Sequence, residues 1–173
     1  MPEYDFTLKF KLSEDLESEI YINQLYESGC DDALIGIGKP GYIALNFTRE
    51  ATSAISAISS AIKNVKAVIP NATLLNASPD LVGVTDIANL LGCSRQNIQK
   101  LISNDNRNFP TPIYEGAQSI WHLASVLTWL VEHKAYSIDQ HLIEISQATM
   151  MFNLAQQCQM LDPNIKDNFP ALI

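Results

Sequence analysis

A mixed α+β chain is predicted by three features: strands that alternate apolar and polar residues, two helical stretches set between them, and a change to short helices after residue 80. From Tyr4 onward, Phe6, Leu8, Phe10 and Leu12 fall on one side of an extended segment. Asp5, Thr7, Lys9 and Lys11 fall on the other, which makes a strand with one wet face. Ser13 to Ser28 reads as a helix with Glu14, Asp15 and Glu17 at its start, where the helix dipole favours acids. Its inner side is Leu16, Ile20, Tyr21 and Leu25, and Gly29 ends it. Ala33 to Ile37 and Tyr42 to Phe47 are strands joined by the turn Gly38-Lys39-Pro40-Gly41. A helix follows, with Ala51, Ile55, Ile58, Ile62, Val65 and Ile69 at helical spacing, and Pro70 stops it. Ala72 to Asn76 supplies a fourth strand. The β-α-β-β-α-β order predicts a ferredoxin-like domain over residues 1–78, two helices covering one face of a four-stranded antiparallel sheet.

Ala77-Ser78-Pro79-Asp80 reads as a linker to a second domain at 82–134. Residues 135–173 form a long helix and a tail, the helix running from Ser137 to Met160 behind a capping box, Ser137-x-x-Gln140. That helix has two apolar lines, Ile138, Leu142, Ile145, Thr149 and Phe152, and Ile143, Met150, Leu154 and Leu161. A helix that only covers its own domain needs one, so the second is expected to join two copies as a homodimer.

Composition narrows the function. The 173 residues are 47% hydrophobic and 17% charged, a globular balance. No run approaches the ~18 apolar residues of a membrane span. Met1 to Asp5 lacks the basic and apolar regions of a secretory signal. Three widely spaced cysteines, Cys30, Cys93 and Cys158, read as reduced thiols, so a cytoplasmic protein is expected. Net charge −8 argues against non-specific nucleic-acid binding, which relies on an excess of Lys and Arg. Residues 84–134 are the exception, with four basic and four acidic side chains.

Two tempting signals fail. Gly36-Ile37-Gly38-Lys39-Pro40-Gly41 matches a dinucleotide fingerprint, yet it leads into a strand rather than the helix that would hold a pyrophosphate. Asp31 and Asp32 are strand neighbours that point to opposite faces, so they read as a solvated strand start. His122, His133 and His141 lack metal-ligand spacing. No catalytic constellation is visible, so a non-enzyme without metal or cofactor is expected.

Residues 84–103 carry the functional signal. Thr85 reads as an N-cap, Ala88 is small where a second helix crosses, Gly92 supplies a left-handed turn, and Ser94 caps the next helix. Ile98, Leu101 and Ile102 bury that second helix, leaving Arg95, Gln96, Asn97, Gln99, Lys100 and Ser103 outside. These groups suit base edges and phosphates, and no acid stands among them. This is the residue logic of a helix-turn-helix. Downstream come Phe109-Pro110-Thr111-Pro112, a hairpin through Glu115 to Ser119, Trp121, and a helix from His122 to His133 with Leu123, Val126, Leu127, Trp129 and Leu130 inward.

Helix, turn, second helix, F-P-x-P, hairpin, Trp and a helix containing T-W-L resemble the excisionase and MerR-like winged helix-turn-helix family over about 50 of the 173 residues. The resemblance implies that Ser94 to Ser103 enters the major groove of double-stranded DNA and that the wing touches the neighbouring backbone. The chain departs from the family's basic wing, where Glu115 and His122 stand, leaving Gln118 and Ser119 as polar contributors. Arg107, in the loop after the second helix, completes the expected DNA-contacting set. Trp121 and Trp129 read as core. The expectation is a bacterial transcriptional regulator of a mobile-element or stress-associated locus. The rivals are an antitoxin or adaptor whose acidic N-terminal domain holds a protein partner, and a ligand-sensing regulator.

Overall fold

The structure, a computed structural model, describes residues 1–12, 18–104, 108–133 and 136–163. Strand β1 (Glu3–Lys11) is followed by a 3-10 turn (Ser18–Tyr21), one short α1 (Ile22–Leu25) and a wider turn (Tyr26–Cys30). Then come β2 (Ala33–Gly36), β3 (Tyr42–Glu50), α2 (Ala54–Val68) and β4 (Thr73–Ser78). The four strands form one antiparallel sheet in the order β2-β3-β1-β4. Even-numbered residues of β1 and odd-numbered residues of β3 from Ile43 to Phe47 are buried on one face, as alternation requires.

Two expectations about the helices change. Ile20 is 61% exposed rather than inside, because the 3-10 and wide turns break the regular helical rotation. Leu25 and Cys30 are the residues buried, while Leu16 and the acids Glu14, Asp15 and Glu17 lie outside the described residues. In α2, Ile55 is 50% exposed, and the buried line is Ala54, Ala57, Ile58, Ala61 and Val65. The helix turns its alanines to the sheet, where small side chains let the two layers approach and interlock.

The Asp31-Asp32 pair also departs from expectation. Asp32 is not simply solvated: its carboxylate accepts from Arg49 Nε at 2.6 Å and Nη2 at 2.8 Å. Arg49 is buried, also donates to the Gly29 carbonyl at 2.6 Å, and stacks over Phe47. This bidentate fork ties β2, β3 and the turn after α1 together. Gly29, at φ +93°, lies against the Asn64 side chain, so a β-carbon there has neither the backbone geometry nor the room.

The second half begins with β5 (Leu81–Val82), α3 (Val84–Leu90) and α4 (Arg95–Ile102). The hairpin of β6 (Tyr114–Glu115) and β7 (Ser119–His122) and then α5 (Leu123–Glu132) complete it. These three strands make a small antiparallel sheet, β5-β7-β6. Its core is separate: Val82, Ile87, Ala88, Ile98, Trp121, Leu123, Val126, Leu127, Trp129 and Leu130. Trp121 and Trp129 are core residues, both edge-on to Phe109, with Trp121 Nε1 donating to the Pro110 carbonyl at 2.8 Å.

Helix α6 (Gln140–Cys158) joins the two halves. Its cap is Asp139, which accepts from the His141 amide, not Ser137. Tyr136 and Ile138 pack on the second core, which draws this stretch out of the helix. The line through Leu142, Ile145 and Thr149 packs within the chain, Ile145 and Ala148 entering the first core and Leu142 touching both. A third helix thus completes the layer that α1 and α2 begin.

The stretch predicted as a linker is instead a buried junction. Asn153 accepts from the Ala77 amide at 2.7 Å and donates to the Ala77 carbonyl at 2.8 Å, as a neighbouring strand would. The same amide group donates to Asp80 Oδ2 at 2.7 Å, and Asp80 Oδ1 pairs with His122 Nδ1 at 2.7 Å. Thr149 donates to the Pro79 carbonyl, and the Leu123 amide donates to the Asp80 carbonyl. Ser78-Pro79 is a cis peptide.

Asn153→Ala leaves a buried peptide and a buried carboxylate short of partners and is expected to cost about 2–3 kcal/mol, read as a lower denaturant midpoint. A second expectation concerns acid. Tyr4 Oη donates to Glu144 Oε2 at 2.7 Å, and this bond holds the Glu144 carboxyl below its usual range. The folded state therefore favours the ionised form, so the contribution is complete above the unfolded carboxylate range. It fades as pH falls through the lowered folded value. Melting curves of the native chain and Tyr4→Phe should differ at neutral pH and converge in acid.

Candidate nucleic-acid interface

The α3–α4 corner is built by local chemistry. The first helix begins at Val84 with Gly83 as its N-cap position rather than Thr85, because the Asp86 carboxylate reaches back to the Gly83 amide at 2.8 Å. Gly92, at φ +61°, makes the turn, and the Cys93 amide donates to the Ala88 carbonyl. Ser94 then caps α4, accepting from the Asn97 amide at 3.2 Å. Ala88 and Ile98 are buried where the two helices meet. Beneath the turn, Tyr136 lies beside Cys93, and its phenol is pushed up by burial and by that thiol.

The outward side of α4 is wholly exposed: Arg95, Gln96, Asn97, Gln99 and Lys100, with Ser94 and Ser103 at its ends. The fold divides this set. Arg95 and Gln99 turn toward the hairpin and line a cleft of about 250 Å³ with Gln118 and Ser119. The rest of the set, Ser94, Gln96, Asn97, Lys100 and Ser103, is exposed and does not line it. Gln118 is exposed at the hairpin tip, whereas Ser119, the first residue of β7, is half-buried. Arg107 lies outside the described residues.

Three residues beside α4 or at the hairpin tip were not among those expected from the sequence to contact DNA. Thr85 and Asp86 enter the same cleft from the start of α3. Asp86 brings a negative charge beside a helix that has none, and only the crossing of α3 and α4 reveals it. Tyr114, 61% exposed, lays its ring over Gly116 so closely that a β-carbon there would overlap it. The Tyr-x-Gly spacing at a hairpin tip is the signal that could have indicated it.

This arrangement offers amide donors and acceptors, one guanidinium and one ammonium on a convex helix beside a hairpin. Those are groups for recognising a polar, anionic surface. Among the described residues, no three His, Cys, Asp or Glu side chains stand where they could hold a metal ion. No described helix is long and apolar enough to cross a membrane. No family model, curated relative or solved structure matches the chain.

Gly92→Ala forces an L-residue into the left-handed region, which costs roughly 1–2 kcal/mol. The unfolding free energy from denaturant titration should fall by that amount, while Leu90→Ala, at an exposed site, should change stability far less.

Proposed function

We propose that this chain is a sequence-specific DNA-binding protein, a cytoplasmic bacterial regulator of transcription. In this reading α3 and α4 are a helix-turn-helix, the β6–β7 hairpin is its wing, and the first half is a ferredoxin-like domain. The observation that carries it is the exposed, acid-free side of α4, set behind a left-handed glycine turn and a serine cap. In a chain of net charge −8, such a surface has an electrostatic reason to be local.

Roles follow from position. Gln96, Asn97 and Gln99 carry both donors and acceptors and read base edges in the major groove. Lys100 neutralises phosphate. Arg95, between helix and wing, reaches either the backbone or a guanine edge. Ser94 and Ser103 flank the helix and contact the backbone. The wing has Gln118 and Tyr114 instead of cations, so it adds shape more than charge. With so few cations per copy, a single module binds weakly at physiological salt, and two copies on a paired site gain through effective concentration. The functional unit in this proposal is a homodimer.

Binding sites selected from a random duplex library test the proposal directly. One preferred motif should emerge, arranged as two half-sites about 10 bp apart or a multiple of that. On that motif Gln96→Ala should cost about 1–3 kcal/mol and relax preference at one base position. Lys100→Ala should weaken all duplexes alike and reduce the salt slope by about 1. If selection yields no motif, or neither variant alters binding, α4 is not the reading element.

A further inference from the structure

The open face of the four-stranded sheet is opposite the helices, and its charges are arranged in order. Along β1 that face shows Glu3, Asp5, Thr7, Lys9 and Lys11. On β3 Glu50 sits opposite Glu3, Thr48 opposite Asp5, Asn46 opposite Thr7, and Ala44 opposite Lys9. One end of the face is therefore acidic and the other basic, with an uncharged row across the middle. That row runs Leu34, Asn46, Thr7 and Ser78 across all four strands. Leu34, 75% exposed, gives the row one apolar end. Asp5 is held in place by Thr48, which donates to it at 2.7 Å, and Thr7 is bonded to Asn46.

We propose that a second copy of this chain docks on this face, about a two-fold axis running along the Leu34–Ser78 row. Rotation about that row reverses the strands and preserves the order across them. Lys9 then lies over the partner's Asp5, and Lys11 lies over the partner's Glu3. Leu34 meets the partner's Leu34 at one end of the row. A two-fold axis along the strands would instead place like charges together, so the pattern selects one of the two alignments. Such an isologous contact buries the same patch on both copies. The charges set alignment more than affinity, because exposed ion pairs contribute little. Burial of Leu34, Ala44 and the lysine stems supplies the attraction. The contact lies on the face away from α2 and α6, and it uses no residue of the α4 surface.

The experiment is light scattering and sedimentation on full-length chains over micromolar concentrations. The native chain is expected at about twice its 19.2 kDa mass, and less so as salt rises. A chain carrying Lys9→Glu with Lys11→Glu, and another carrying Glu3→Lys with Asp5→Lys, are each expected to dissociate at least roughly tenfold more readily. Mixed one to one, the two variants should associate, and one chain carrying all four substitutions should dimerise again. Misfolded variants would not be rescued in this way. Met151→Arg with Leu154→Arg, on the exposed side of α6, should leave the dimer intact. A monomeric native chain, charge variants that still dimerise, or a dimer lost only through the α6 variant would each overturn the proposal. None of these outcomes depends on whether α4 binds DNA, which the selected duplex reports separately.

Discussion

The fold depends on what the side chain of Asn153 does at the end of β4. A peptide at a sheet edge presents a donor and an acceptor that must find partners when buried, and Asn153 supplies both for Ala77. Its remaining amide hydrogen reaches Asp80, whose other oxygen holds His122 at the start of α5. One side chain on α6 thereby connects the sheet of the first half to the hairpin and helix of the second. A carboxylate as buried as Asp80, 4% exposed, is tolerable only because these partners surround it. The two apolar cores would otherwise be neighbours on a chain rather than parts of one body.

That connection governs how the α4 surface is presented. The hairpin strand β7 pairs with β5, and β5 follows the junction directly, Leu81 after Asp80. The cleft between α4 and the hairpin is thus indexed to the first sheet through a short, hydrogen-bonded path. Bonds with little slack transmit position well. The proposed contact on the open sheet face would therefore fix the separation of two α4 helices, and with it the half-site spacing that the proposed DNA complex requires.

Much of the secondary structure was legible in the sequence because it rests on local periodicity. The alternation in β1, the turn at Gly38 to Gly41, the Gly92 turn and the Ser94 cap depend on residues within a few positions of one another. The misread positions depend on partners far away in sequence. Ile55 faces out because alanines suit the approach of α2 to the sheet, which the spacing of isoleucines cannot report. Asp32 and Arg49 look like ordinary surface charges until the strands pair. Ser78 to Asp80 has linker composition, and only a helix about 70 residues later makes it a buried joint. For the candidate surface, the α4 residues were identifiable from helical rotation alone. Asp86 joins them only through helix crossing, and Tyr114 covers the cleft residue Gly116 only through hairpin folding.

The late position of α6 has a consequence for how the chain is made. Tyr4 leaves the ribosome well before its partner Glu144, which is 140 positions behind it. The sheet and its first two helices emerge with a gap in the helical layer where Ile145 and Ala148 belong. During synthesis the inner face of β1 and β4 is therefore uncovered until α6 arrives, a period in which sticky apolar surface is open to other nascent chains. The same dependence means that removing the C-terminal helix does not release a tidy N-terminal domain. It returns the first half to the unfinished state it occupies during translation.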